Sequence, residues 1–368
     1  MPGNNANAGT SSSAPKRDFT GFNINALPAG ANLLFVRGGV WTSFSVALRN
    51  FNVTQASPLT FDAYGSGAAP WFKTTSGTAV NFTEWEDTTW EGGYTFRNLK
   101  FDGQGTGQWG FFLGGNVRHV TIEDTEIANF YIGIHSQNQS GTVTNLTVRN
   151  SNIHHNSEHG MLGSADSLLL EGNVIADNNM DGGGFEHGIY LSGGNNVTVR
   201  NNTFTNNSAP GGVCNGGNLT WHGQADGALI EGNTITQVAA TGGCYGFSIT
   251  AAYSSPEWFR NVIMRNNTVR NVGFCAFCMS SAPNVLIENN RIFNTQATYQ
   301  VGVLIPAIPP GAGDDVDTGA IIRNNTVCYS QPASGSGVVG GSSMASAASI
   351  IGNSYRTGAD ASTGACAP

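Results

Sequence analysis

The sequence predicts an all-β solenoid of stacked parallel strands, and three observations predict it. A six-residue frame recurs along the chain at steps of 22 to 35 residues, a charged position within it alternates in sign, and a later position becomes Asn in seven successive copies. The copies read FRNLKF, IEDTEI, VRNSNI, LEGNVI, VRNNTF, IEGNTI, MRNNTV, IENNRI and IRNNTV, and a tenth, IIGNSY, drops the charge. A repeat of this length, with one short strand signature per copy, is the mark of a solenoid.

The first residue of each frame is apolar and the second is charged. Neighbours on a strand point to opposite faces, so the first is expected inside and the second outside. Stacked in register, Arg97, Glu123, Arg149, Glu171, Arg200, Glu231, Arg265, Glu288 and Arg323 form one column of alternating sign. Rungs lie about 4.8 Å apart, so every arginine is expected between two acids. Exposed pairs contribute only ~0–1 kcal/mol each, so the column selects register more than it adds stability.

The fourth position is Asn at 173, 202, 233, 267, 290, 325 and 353. Asn tolerates left-handed backbone and can bond its counterpart in the next rung, which predicts an Asn ladder at a tight turn. The sixth position, from Phe101 to Val327 with Tyr355 at the end, is apolar throughout and is expected to enter the next strand facing the core.

At this point the chain resembles the right-handed parallel β-helix of the pectate-lyase-like superfamily, which includes polysaccharide lyases and phage tailspike-type proteins. The repeat covers about 96–355, and LPAGANLLFVRGGVWTSF followed by PLTFDAYGSGAAP (27–70) looks like the opening rungs of such proteins. The resemblance implies a single-stranded right-handed parallel β-helix of ten or more rungs that processes or binds a polysaccharide. It leaves the chemistry open, because this fold hosts many activities. The expected organisation is a flexible or docking arm at 1–18, a cap and opening rungs at 19–95, the β-helix at 96–355 and a tail at 356–368.

Composition narrows the partners. Of 368 residues 11% are charged, the net charge is −8, and the only lysines are Lys16, Lys73 and Lys100. Five of the thirteen arginines belong to the column. Little positive charge remains for nucleic acid, and no stretch is apolar enough to span a bilayer. The amino-terminal stretch has no hydrophobic signal core. An extracellular or virion-surface location is expected, with a homotrimer as one form of assembly. Cross-rung disulfides Cys214–Cys244 and Cys328–Cys366 are compatible with such a compartment. Cys275 and Cys278 fall three apart in an apparent strand, so opposite faces are expected and a shared zinc is not.

The excess residues of the long rungs lie at about 176–187, 208–226, 239–260 and 296–318, where loops can wall a groove. All seven histidines fall between His119 and His222. Glu158-His159-Gly160 and Glu186-His187-Gly188 repeat one rung apart, with Asp181 on the loop before the second. His135 and Tyr190 share an outward column if Ile134 and Ile189 align. Glu158, His159, Asp181, Glu186, His187 and Tyr190 are therefore catalytic candidates. Crowded carboxylates raise one pKa and make an acid–base pair for glycosidic cleavage; alternatively, His or Tyr takes the C5 proton of a uronic acid in elimination or epimerisation. The triplet also suits a turn signature repeated for stacking, and alternation from Ile189 turns His187 inward.

His135, Trp221, His222 and Trp258 are candidates for substrate binding, with Trp221 as the sugar platform. Trp85 and Trp90, in TEWEDTTWEGG, suit either a platform or a cap over the first rung. Asp314, Asp315 and Asp317 form an acidic loop that can offer oxygen ligands to Ca²⁺. Lyases resembling this chain use Lys or Arg, often with calcium, against the substrate carboxylate. Here no lysine follows Lys100, and the DPH motif of the alginate epimerases is absent. Both departures point toward a neutral glycan, or to binding without turnover in a spike or adhesin.

Overall fold

The computed structural model describes residues 3–84, 89–137, 142–209, 212, 214–237, 243–253, 256–305, 311–340 and 349–366. The rungs build three parallel sheets. The first holds twelve strands from Asn32–Val36 to Ser349–Ile351, each paired only with the rungs before and after. The second runs from Val40–Trp41 to Ser354–Thr357, and the third from Val46–Leu48 to Gly337–Gly340. The long strands Lys100–Gly115 and Glu126–Gln137 pass through the corner between the second and third sheets without a break and so serve both.

Inside, the first frame position stacks Phe96, Ile122, Val148, Leu170, Val199 and Ile230, all fully buried, and the sixth stacks Phe101, Ile127, Ile153, Ile175 and Phe204 beside them. Rings of successive rungs lie face to face, as in Phe61 on Phe96 at 4.5 Å. Burying a Phe or Ile of this kind contributes roughly 2 kcal/mol, so this continuous column of apolar side chains is the main stabiliser.

The charged column has the expected register, Arg97 to Glu123, Arg149 to Glu171 and so on to Glu288 with Arg323. Each arginine closes on the acid of the rung before it: Arg200 on Glu171 at 2.7 Å, Arg265 on Glu231 at 2.8 Å and Arg323 on Glu288 at 2.7 Å. Arg97 reaches back to Asp62 at 2.7 Å, which extends the column one rung earlier than the repeat suggests.

The Asn ladder runs unbroken from Asn173 to Asn353, each Nδ2 donating to the next Oδ1 at 2.9–3.0 Å. The left-handed residue is not the ladder Asn, as expected, but the one before it. Asn98, Asp124, Asn150, Gly172, Asn201, Gly232, Asn266, Asn289, Asn324 and Gly352 all have φ between 49° and 67°. That turn aims the following side chain inward, under the corner, where its counterparts and a backbone carbonyl of the preceding rung satisfy it. A second ladder, Asn156–Asn178–Asn207 at 2.8–2.9 Å, lines the corner before the third sheet.

All six cysteines are paired, Cys214 with Cys244, Cys328 with Cys366 and Cys275 with Cys278. The last pair corrects the opposite-face expectation. An extended strand advances about 3.3 Å per residue, whereas these Cα atoms are 5.7 Å apart, so the backbone bends between them. The regions 208–226 and 239–260 are not wholly loop either, because Asn215–Trp221 and Gly243–Ile249 are strands within them and Gln224–Glu231 begins in the first.

Candidate active site

The outer face of the third sheet carries one residue per rung in the order Phe112, His135, Leu162, Tyr190, Thr220 and Ser248. Phe111, Ile134, Met161, Ile189, Leu219 and Phe247 precede them and fill the core, which turns these six outward. His135 and Tyr190 do share this column, with Leu162 between them. Trp109 lies on Phe112 at 4.4 Å, and both rings meet the edge of His135, at 5.1 and 5.3 Å. Burial against them lowers the His135 pKa to about 4, so its imidazole is neutral at pH 7.

The repeated Glu-His-Gly triplets occupy the corner before this sheet, and the structure divides their roles. A Cβ on Gly160 would lie 2.6 Å from the Gly188 carbonyl oxygen, and one on Gly188 2.7 Å from that of Asn218, so the rungs admit only glycine there. His159 and His187 turn into the corner and are buried. His187 donates its backbone N–H to His159 Nδ1 at 3.0 Å, and Gly217 donates likewise to His187 Nδ1 at 2.9 Å. With Nδ1 accepting, the ring proton of each neutral imidazole sits on Nε2. Desolvation lowers the two pKa values to about 4 and about 3, aided at His187 by its histidine neighbours. This corrects their assignment as acid–base catalysts. They hold the corner and support Tyr190, whose ring lies parallel to His187 at 5.7 Å.

The glutamates face the other way. Glu158 precedes Met161 by the same three residues that separate Tyr131 from Ile134 and Glu186 from Ile189, and those three strand residues are in register. Tyr131, Glu158 and Glu186 therefore hold one position in three successive rungs. The Tyr131 hydroxyl donates to Glu158 Oε1. Loop 177–187 is drawn over this column by Asn179, whose N–H bonds the Glu158 carbonyl at 2.7 Å and whose Nδ2 bonds the carbonyls of Gly183 and Glu186 at 2.7 and 3.0 Å. Asp181 follows, its N–H on the Ser157 carbonyl at 3.0 Å. Desolvation raises the Glu158 pKa, and the negative charges of Glu186 and Asp181 add to it against the pull of the Tyr131 bond. The same bond to Glu158 pushes the Tyr131 pKa up to about 12. Of the six catalytic candidates, Glu158, Asp181 and Glu186 come together, with Tyr190 on the adjoining floor. Tyr131 was missed, although continuing the strand offset one rung back from Glu158 would have found it.

On the trailing edge, Tyr253 reaches from the loop after Ile249 to place its hydroxyl 2.8 Å from that of Tyr190. His222 lies beside both rings, at 5.5 Å from Tyr190 and 4.9 Å from Tyr253, with Nδ1 2.6 Å from the Thr250 carbonyl. Burial lowers its pKa. His222 therefore lies beside Tyr190 and Tyr253.

Trp221 is instead fully buried against Phe259, because Leu219, Thr220 and Trp221 alternate in, out, in. Trp258 opens a strand of the first sheet, with Arg260 over its ring at 4.2 Å. The acidic loop disperses its carboxylates: Asp314 accepts the Glu257 N–H at 2.7 Å, Asp315 pairs with Arg260 at 2.6 Å, and Asp317 accepts the Ala282 N–H at 2.8 Å. Asp314 and Asp317 are thus taken up by backbone N–H groups of other segments and Asp315 by a guanidinium, an arrangement that does not gather the three about one Ca²⁺. Among the described residues no group of three or more His, Cys, Asp or Glu is placed to hold a metal. Trp85 lies outside the described residues, and Trp90 sits under Arg118 at 5.4 Å.

The sequence matches the family described as right handed beta helix region over residues 87–251. No curated protein sequence matches the chain. A GH136 lacto-N-biosidase from Eubacterium ramulus is similar in structure at a TM-score of 0.57 and 13% identity, over 96% of this chain and 67% of that one. The chain thus spans about two thirds of that enzyme's length. PfbA, a surface adhesin of Streptococcus pneumoniae, aligns at 0.54 and 12% over 89% and 85% of the two chains. An alginate lyase from Paenibacillus sp. str. FPU-7 aligns at 0.51 and 14% over 91% and 95%. Identities this low speak for the fold and not for the chemistry. With its stacked rungs, three parallel sheets and matched region, the chain is a right-handed parallel β-helix protein.

Proposed function

We propose that the protein cleaves a neutral polysaccharide by acid–base hydrolysis on the outer face of the third sheet. The single observation that carries this reading is the column Tyr131–Glu158–Glu186 with Asp181 beside it. Glu158, its pKa raised, donates its proton to the glycosidic oxygen as the bond from the anomeric carbon to that oxygen breaks. A carboxylate of the Glu186–Asp181 pair takes the proton of the water that adds to the anomeric carbon. A uronate would meet three acidic side chains here, and the nearest column arginines, Arg149 and Arg200, are engaged with Glu123 and Glu171 on another sheet. That balance of charge favours a neutral chain over elimination or epimerisation of an acidic one. The similar fold of a lacto-N-biosidase supports the reading by analogy. Three disulfides support a location outside the reducing cytosol, on a secreted protein or a virion.

A second reading, glycan capture without turnover, has its support in the Trp109–Phe112 stack, because a sugar face binds an aromatic ring whether or not carboxylates act on it. One experiment separates the two. Purified protein is incubated with a panel of neutral and acidic glycans, and reducing ends, unsaturated uronates and binding are measured. New reducing ends without ultraviolet absorbance, abolished in the Glu158→Gln/Glu186→Gln double variant, are expected. Turnover surviving that variant would sink the site, and binding without turnover in the native protein would favour capture.

A further inference from the structure

Three rings cross the third sheet at the rung of Ile189–Leu191. His187 stands in the leading corner, Tyr190 rises from the strand with its ring parallel at 5.7 Å, and Tyr253 meets it hydroxyl to hydroxyl at 2.8 Å from the trailing side. The loop carrying Tyr253 leaves Ile249, which is two rungs further on, since Leu191 pairs with Trp221 and Trp221 with Ile249. It must therefore fold back over the rung between. The buried Glu257 holds it there, its carboxylate accepting the N–H groups of Gly223 and Ala252 at 2.5 Å and of Tyr253 at 2.8 Å. A charged acceptor shared by three backbone amides is a firm anchor, so the row of rings is a fixed wall and not a lid.

We propose that Tyr253 and Tyr190 close the groove at the rung of Glu186, one rung past Glu158, so that the protein engages the end of a glycan chain and not its interior. The inference rests on the proposed glycan function of this face. From Glu158, the wall is one rung away, about 4.8 Å, which leaves room for about one or two sugar units. On the other side, the face continues over His135 to the Trp109–Phe112 stack, where the rest of the chain lies. The residue that decides product length is thus Tyr253, which touches none of the carboxylates.

The test uses a linear oligosaccharide of the glycan identified by the panel, carrying a bulky fluorophore at either its reducing or its non-reducing end. Binding is read by fluorescence anisotropy on the full chain carrying Glu158→Gln. A closed groove accepts one tagged form and rejects the other by about tenfold or more in Kd, and Tyr253→Gly relaxes that preference. Tyr253→Phe, which keeps the ring, retains it. In the active protein, products are mono- or disaccharides from the first turnover, and Tyr253→Gly lengthens them. Equal binding of both tagged forms by the otherwise native groove, or mixed product lengths from the start, overturns the closed end while leaving the glycan reading intact. Failure to bind any glycan overturns both.

Discussion

The backbone N–H of His187 donates to Nδ1 of His159 at 3.0 Å, so one imidazole serves as the hydrogen-bond acceptor for the next rung. Protonating that nitrogen replaces an acceptor with a donor facing a donor. The folded pKa values, about 4 for His159 and about 3 for His187, lie below the ordinary 6.5. Above pH 6.5 both histidines are neutral in either state and add no pH dependence. As pH falls from 6.5 toward 3, the unfolded chain takes up protons that the folded one refuses, and stability is lost. The two histidines should account for roughly 3 to 5 kcal/mol each across that window. Urea titrations at pH 7 and pH 5 should show a smaller difference for His187→Gln than for the native protein. An identical difference would mean the corner histidines do not report on folding.

Activity should depend on pH through Glu158. Its proton must be present for leaving-group protonation, so the alkaline limb of kcat/KM marks its loss. The charge of Glu186 raises that pKa and the Tyr131 bond lowers it. Glu186→Gln should therefore move the limb to lower pH, and Tyr131→Phe should move it to higher pH. Limbs that shift in the same direction would separate these residues from Glu158's titration. Glu158→Gln itself should lower kcat by about 10²-fold or more.

The interior Asn ladder should cost far more to break than its end. Asn233 bonds Asn202, Asn267 and the Val199 carbonyl, all buried, with five hydrogen bonds of 2.9–3.0 Å. Asn233→Leu strands the backbone N–H and Nδ2 donors of Asn202 in the preceding rung and takes a donor from the Val199 carbonyl, and should destabilise by about 2–4 kcal/mol. Asn353 closes the ladder in a partly exposed turn, and Asn353→Leu should cost about 1 kcal/mol. Thermal unfolding of the two variants side by side is the check, and equal losses would count against the ladder as a cooperative array.

The charged column should be worth little pair by pair. Glu231 and its partner Arg265 are exposed enough for water to screen them, with Arg265 at 40%. Glu231→Gln should destabilise by no more than about 1 kcal/mol, and less in 1 M salt. Glu231→Arg, which places three arginines in succession, should cost clearly more at low salt. Chemical denaturation at two ionic strengths measures both.

The rungs were legible in the sequence because charge, Asn and apolar positions recur in one frame, and a strand needs no more than that to declare its faces. Glu158 and Glu186 were legible through a separate signal, the Glu-His-Gly triplet that recurs one rung apart. Trp221 is not legible in this way because its rung is long, and length alone does not tell loop from strand. The added residues went partly into a seven-residue strand, Asn215–Trp221, whose parity buries the indole. His187 was readable as inward from Ile189, and the structure takes the inward option. Tyr253 could not be found this way. It reaches Tyr190 through a loop that doubles back across a rung, and no period links residues 63 positions apart by that route.

Arg97, Arg149, Arg200, Arg265 and Arg323 each bind the acid of the preceding rung, starting from Asp62, so ten charges resolve into five couples. The ladder and the core repeat with every rung, but charge repeats with every second one. Copying a single rung into this stack would keep its core and its Asn intact yet set two like charges side by side. Copying two would leave every neighbour satisfied. By this arithmetic the molecule has a parity, and its natural unit of growth or deletion is the couple of rungs.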